Sequence, residues 1–187
     1  MKGPVKALTK PLRPRRAGRD YKSRLNREQS AIKMLAIPII TIVLASMMTG
    51  MPFITEQALL PPFGLMFLLA WRLMRPGLLP MWAGLPFGLI DDMLSGQPFG
   101  SAGLLWSLAM VVIELIDTRA PWRDYWQDWF IASLLIMACI FGGFWFVGLV
   151  YTRPAAITLW PQILLSIFTY PLAARIVSRL DRWRLAA

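Results

Sequence analysis

The run Ile131–Val150, "IASLLIMACIFGGFWFVGLV", holds twenty residues without one charge. A helix of roughly 20 residues crosses the ~30 Å hydrocarbon core of a bilayer, so this stretch reads as a complete membrane span. Composition extends the reading to the whole chain: 57% of the 187 residues are hydrophobic, 16% are charged, and the mean hydropathy is positive. The expected fold class is an all-α integral membrane protein, and the length suits one bundle of five or six spans with short loops.

Working outward from that run, six apolar segments can be marked, at about 34–54, 58–71, 77–94, 99–116, 129–150 and 156–176. The second and fourth are short for a span and need local thinning or burial against neighbours. Charge placement argues for six. With the N-terminus in the cytoplasm, nineteen of the twenty Lys and Arg fall on the cytoplasmic side, and only Arg153 falls outside. Five spans would put the basic C-terminal stretch "ARIVSRLDRWRLAA" on the wrong side. Both termini are therefore expected in the cytoplasm, with a six-span bundle over residues 34–180 and a short cytoplasmic tail at 181–187.

Residues 1–33 carry eleven Lys and Arg, Asp20 and Glu28, three prolines and few large apolar groups. Such a segment is expected to be a disordered basic arm held near anionic lipid headgroups. Tyr21 is its only aromatic for base stacking, which argues against nucleic acid as a partner. The polar lead is too long for a secretory signal peptide, and no small-residue cleavage site follows the first apolar run.

Several kinds of chemistry are out of reach. Histidine is absent and Cys139 is the sole cysteine, so His-based acid/base work, a Cys-His dyad, a Cys/His metal cage and an intrachain disulfide are all excluded. Cys139 reads as a small packing residue, and no cofactor or metal is expected. In the loop "DTRAPWRDYWQDWF", Trp122, Trp126 and Trp129 recur at helical spacing. They suit either a short interfacial helix or an aromatic belt anchoring two span ends. Prolines in or beside the spans, among them Pro38, Pro80, Pro86 and Pro171, predict a kinked bundle.

The stretch Gly84–Leu105, "GLPFGLIDDMLSGQPFGSAGLL", sets two adjacent carboxylates in apolar surroundings. On a helix, Gly84, Gly88, Asp91 and Ser95 share one stripe, which lets a neighbouring helix approach closely and turns Asp91 away from lipid. Gly96, Gln97, Pro98 and Gly100 read as a turn, with Gly96 closing the helix at positive φ. The next span then starts with free N–H groups and a partial positive charge, which Asp91 or Asp92 is placed to accept, bracing a helical hairpin. Proteolysis by paired aspartates is disfavoured, because adjacent residues on a helix point about 100° apart and cannot clasp one water. A proton or cation relay through Asp91 finds no second intramembrane acid to continue it.

The six segments, the basic ends and "GLIDDMLSGQPFGSAGLLW" together resemble the rod shape-determining protein MreD family over about residues 34–180. Gly88, Asp92, Gly96 and Gly100 stand in the order of that family's motif; the basic arm lies outside its usual pattern. The resemblance implies a non-enzymatic inner-membrane scaffold of the bacterial cell-elongation complex, supporting cell shape and lateral wall synthesis. Its implied partners are an MreC-type bitopic protein, the MreB filament and peptidoglycan synthases. Similarity of such proteins to the S-components of vitamin transporters supplies the alternative, a small-molecule binding subunit, which requires a cavity with convergent polar groups.

Overall fold

The computed structural model describes residues 35–49, 60–119, 124–150 and 159–186. The expectations for the 1–33 arm, for Trp122 and for the Arg153 loop lie outside these residues. Among the described residues all regular structure is helical: α1 (Leu35–Thr49), α2 (Phe63–Met74), α3 (Gly84–Ser95), α4 (Ser101–Arg119), α5 (Tyr125–Val150) and α6 (Leu159–Ala186). A 3-10 turn at Met81–Ala83 leads into α3. By length and hydropathy, α4, α5 and α6 are each able to cross a bilayer.

Proline and glycine explain where the helices depart from the apolar segments. The segment at 77–94 yields a helix of only 12 residues, rising about 18 Å, because Gly77 takes φ 84° and Pro80 is extended ahead of it. Pro86 sits in the first turn of α3, where its missing N–H has no intrahelical partner to lose. The pair Pro61-Pro62 likewise delays the start of α2 to Phe63.

Two helices are longer than hydropathy suggested. The carbonyl of Asp124 accepts from the N–H groups of Gln127 (2.9 Å) and Asp128 (3.2 Å), and the Asp128 charge complements the positive helix start, so α5 begins at Tyr125. A separate interfacial helix through Trp126 and Trp129 is therefore corrected: both lie in the first turns of α5 itself. At the other end of the chain, α6 runs on through Arg175, Arg179 and Asp181 to Ala186, with Pro171 inside it.

Successive helices alternate in direction. At one end of the bundle the α1 terminus meets the α2 start, where Thr49 Oγ1 accepts from the Phe63 N–H (3.3 Å), and the α6 start joins them through Gln162 Nε2 donating to the Leu60 carbonyl (3.0 Å). At the opposite end the C-terminal turns of α2, α4 and α6 converge. The helix α2 forms the centre, with Leu65, Met66, Leu68, Leu69 and Trp71 fully enclosed by Ile42, Met110, Ile113, Ile136 and Val177 from its neighbours. The outer faces are apolar instead of charged: Leu44, Met48, Phe130, Leu149, Phe168 and Leu172 are all exposed. A surface of that kind is stable against lipid and a liability in water.

Candidate functional site

The α3–α4 hairpin is built from four residues with separate physical tasks. Gly88 permits contact: a Cβ placed on it would lie 2.5 Å from the Gly103 Cα and 2.6 Å from the Ala102 carbonyl, so only hydrogen lets the two backbones touch. Gly96 ends α3 in the left-handed region at φ 69°, its N–H bonding to the Asp92 carbonyl at 3.2 Å. Gly100 takes φ 92° to turn the chain into α4.

Asp92 supplies the fourth task. Its Oδ2 accepts from the backbone N–H groups of Gly100 (2.9 Å), Ala102 (3.2 Å) and Gly103 (3.4 Å), while Oδ1 accepts from Ala102 N–H (3.0 Å) and the Ser101 hydroxyl (3.1 Å). The side chain thus caps the start of α4 from the end of α3, satisfying amides that an isolated helix leaves open. Asp92 is 2% exposed, and a carboxylate that accepts so many charge-assisted bonds at a positive helix end is compensated for that burial. Pro98 closes the turn by accepting from the Ser101 N–H (3.0 Å).

The neighbouring acid does something else. Asp91 is 7% exposed and faces α1 and α2, beside the Ser46 hydroxyl, which hydrogen-bonds to it. Gly64 makes this junction possible: a Cβ there would fall 2.1 Å from Ser46 Oγ, 2.9 Å from the Trp106 ring and 3.1 Å from Asp91 Oδ1. Gly84, on the same stripe as Asp91, presses on the backbone of α4 at Trp106, where a Cβ would lie 2.6 Å from the carbonyl oxygen. The stripe residues Gly84 and Gly88 are thus occupied within the chain. Ser95 Oγ, at the end of the stripe, is buried without a hydrogen-bond partner among the described residues. Asp91 also lines a cavity of about 200 Å³ bounded by α2, α4, α5 and α6.

Neither acid forms a catalytic pair. Asp92 is occupied by the amides of α4, and Asp91 is turned toward Ser46. Among the described residues no group of three or more acids and cysteines is placed to hold a metal ion.

The far end of the bundle carries a second polar assembly. Arg72, buried on α2, pairs with Glu114 and with Asp117 (3.1 Å) on α4. Arg75 donates through Nε and Nη2 to Asp181 Oδ2 (2.9 and 2.7 Å), and Arg184 reaches Asp181 Oδ1 (2.6 Å). The Arg184 guanidinium also lies over the Trp71 ring, 5.4 Å from its centroid. Sequence reasoning counted these arginines only as bulk charge. The signal that pointed further was charged pairs three residues apart at the ends of three helices: Arg72/Arg75, Glu114/Asp117 and Asp181/Arg184.

Of the aromatic anchors, Trp126 is 72% exposed at the α5 start. Trp129 packs edge-to-face on it at 5.8 Å and donates its Nε1–H to the Ile167 carbonyl (3.3 Å), tying α5 to α6. Cys139 is half-buried against Leu105.

An all-helical bundle with a polar hairpin at one end, an ion-pair assembly at the other and apolar flanks between them defines an integral membrane protein. The family model described as rod shape-determining protein MreD matches residues 28–176. The chain belongs to that family, and with it to the inner-membrane proteins that determine rod shape. No curated protein and no solved structure matches the chain.

Proposed function

We propose that this protein is a non-enzymatic scaffold of the cell-elongation complex, with six spans and both termini in the cytoplasm. In this reading it holds an MreC-type bitopic partner near the MreB filament and the peptidoglycan synthases. The observation that carries it is the state of Asp92. The most conspicuous acid of the family motif spends its oxygens on the start of α4, leaving none for chemistry. A rigid hairpin then presents its flanking apolar faces to other spans. Because Gly84 and Gly88 are taken up by α4, the partner helix would meet the exposed apolar residues of the hairpin instead, such as Leu85, Met93, Leu104 and Leu108.

The ion-pair end is the cytoplasmic one in this reading, since Arg72, Arg75, Arg119, Arg175, Arg179, Arg182 and Arg184 all lie toward the C-terminal ends of α2, α4 and α6. The basic arm at residues 1–33 adds attraction to anionic lipid on the same side.

Co-purification with the MreC-type partner tests the reading, using wild type, Asp92→Ala and Gly96→Leu. Reduced recovery with both variants, at equal expression, is expected. Undiminished recovery from both would show that the hairpin is not needed for assembly. Among the described residues the alternative of a vitamin-type binding subunit can draw on a cavity of about 200 Å³ beside Asp91 and one of about 280 Å³ lined by Asp128, Tyr170 and Arg175, and both fall below the roughly 300–1,000 Å³ of small-molecule sites.

A further inference from the structure

The cavity beside Asp91 has a chemistry that scaffolding does not use. Its walls are largely apolar, from Leu65, Leu105, Ile140 and Phe144. Among the described residues its polar groups are Asp91 and two carboxamides, Gln97 in the hairpin turn and Gln162 at the start of α6, with no Lys or Arg in the lining. Gln162 commits its Nε2 to the Leu60 carbonyl, which leaves Oε1 to accept. The Gln97 Oε1 faces α5, 3.7 Å from where a Cβ on Gly143 would lie. Among the described residues, acceptors therefore gather around a buried carboxylate. That arrangement repels anions and selects a donor-rich positive group.

Size narrows the ligand further. A dry cavity of about 150 Å³ accommodates a benzene-sized molecule, so about 200 Å³ suits one arginine or lysine side chain, or a free amine of that size. We propose that the cavity is a binding site for a single guanidinium or ammonium head carried on an aliphatic stem. The head bonds to Asp91 with help from Gln97 and Gln162, and the stem lies along Leu105, Ile140 and Phe144. The inference rests on the cavity and holds whether or not the rod-complex reading does.

Thermal unfolding of the full-length protein in detergent, followed by tryptophan fluorescence, tests it with three probes: n-butylguanidinium, neutral n-butanol, and N-acetyl-arginine N′-methylamide. A saturable rise in Tm of a few degrees is expected with n-butylguanidinium and not with n-butanol. Asp91→Asn should abolish it. Should that variant fail to fold, Gly143→Leu decides, because a Cβ at Gly143 meets only Gln97 at ordinary contact distance and the added side chain fills the cavity. A rise with the arginine amide as well favours a protein-borne side chain as the source; a rise with n-butylguanidinium alone favours a small free cation. No saturable rise with either cation, an equal effect of n-butanol, or an undiminished rise in Gly143→Leu would overturn the proposal.

Discussion

The two ends of the bundle solve the same problem, a polar group buried among apolar helices, in opposite ways. At the hairpin, Asp92 reaches backbone amides eight to eleven residues further along the chain, those of Ala102 and Gly103 buried and fixed by α4 and that of Gly100 in the turn just before it. At the ion-pair end, Arg75 meets Asp181 across 106 residues of sequence, and side-chain heads partly open to water do the pairing. The first arrangement is short-range, dry and indifferent to salt. The second joins three helices distant in sequence, and screening weakens it.

The difference orders the expected effects of substitution. Asp92→Ala removes the acceptor for several buried donors at once and should cost about 3–5 kcal/mol of stability. Asp92→Asn, which keeps one acceptor oxygen, should cost less. Chemical unfolding in detergent checks both, and a loss under about 1 kcal/mol for the alanine variant would remove the distinction between the two ends. Next, Gly88→Ala forces a Cβ into the α4 backbone and should cost about 1–3 kcal/mol, whereas Gly143→Ala, which meets only the Gln97 side chain, should be close to neutral. Measuring the pair side by side separates steric contact from helix propensity.

Gly96→Ala meets nothing within 4 Å, so its cost is that of the left-handed backbone alone, about 1 kcal/mol. The smallest effect belongs to the charged end. Arg75→Gln should lower stability by about 1 kcal/mol or less, since the Arg75 side chain is 46% exposed, solvent screens its pair, and Asp181 keeps Arg184. That loss should shrink between about 0.05 M and about 0.5 M NaCl, while the Asp92→Ala loss stays constant.

What the amino-acid sequence revealed follows the same division. The run Ile131–Val150 announced α5, and the spacing of Gly88, Asp92, Gly96 and Gly100 pointed to a hairpin because every partner lies within about one turn of the next. Helix ends were harder to place. Tyr125, Gln127 and Asp128 look like loop to a hydropathy scan, yet they begin α5 because an acid at a helix start is favourable. Arg175 to Arg184 look like a tail, yet they lie on α6 because Asp181 is buried between two arginines. Gly64, Ser46 and Trp106, which enclose Asp91, gave no local signal at all: they come from three different helices and meet only in the folded bundle.

That Asp92 is a clasp, and not a reactive or ion-carrying acid, is tested most directly by unfolding Asp92→Ala and Asp91→Asn beside wild type in the same detergent. A drop in Tm of roughly 6–20 °C is expected for Asp92→Ala, with a clearly smaller change for Asp91→Asn. An Asp92→Ala protein that unfolds at the wild-type temperature would contradict the clasp, and with it the hairpin as the unit on which assembly rests.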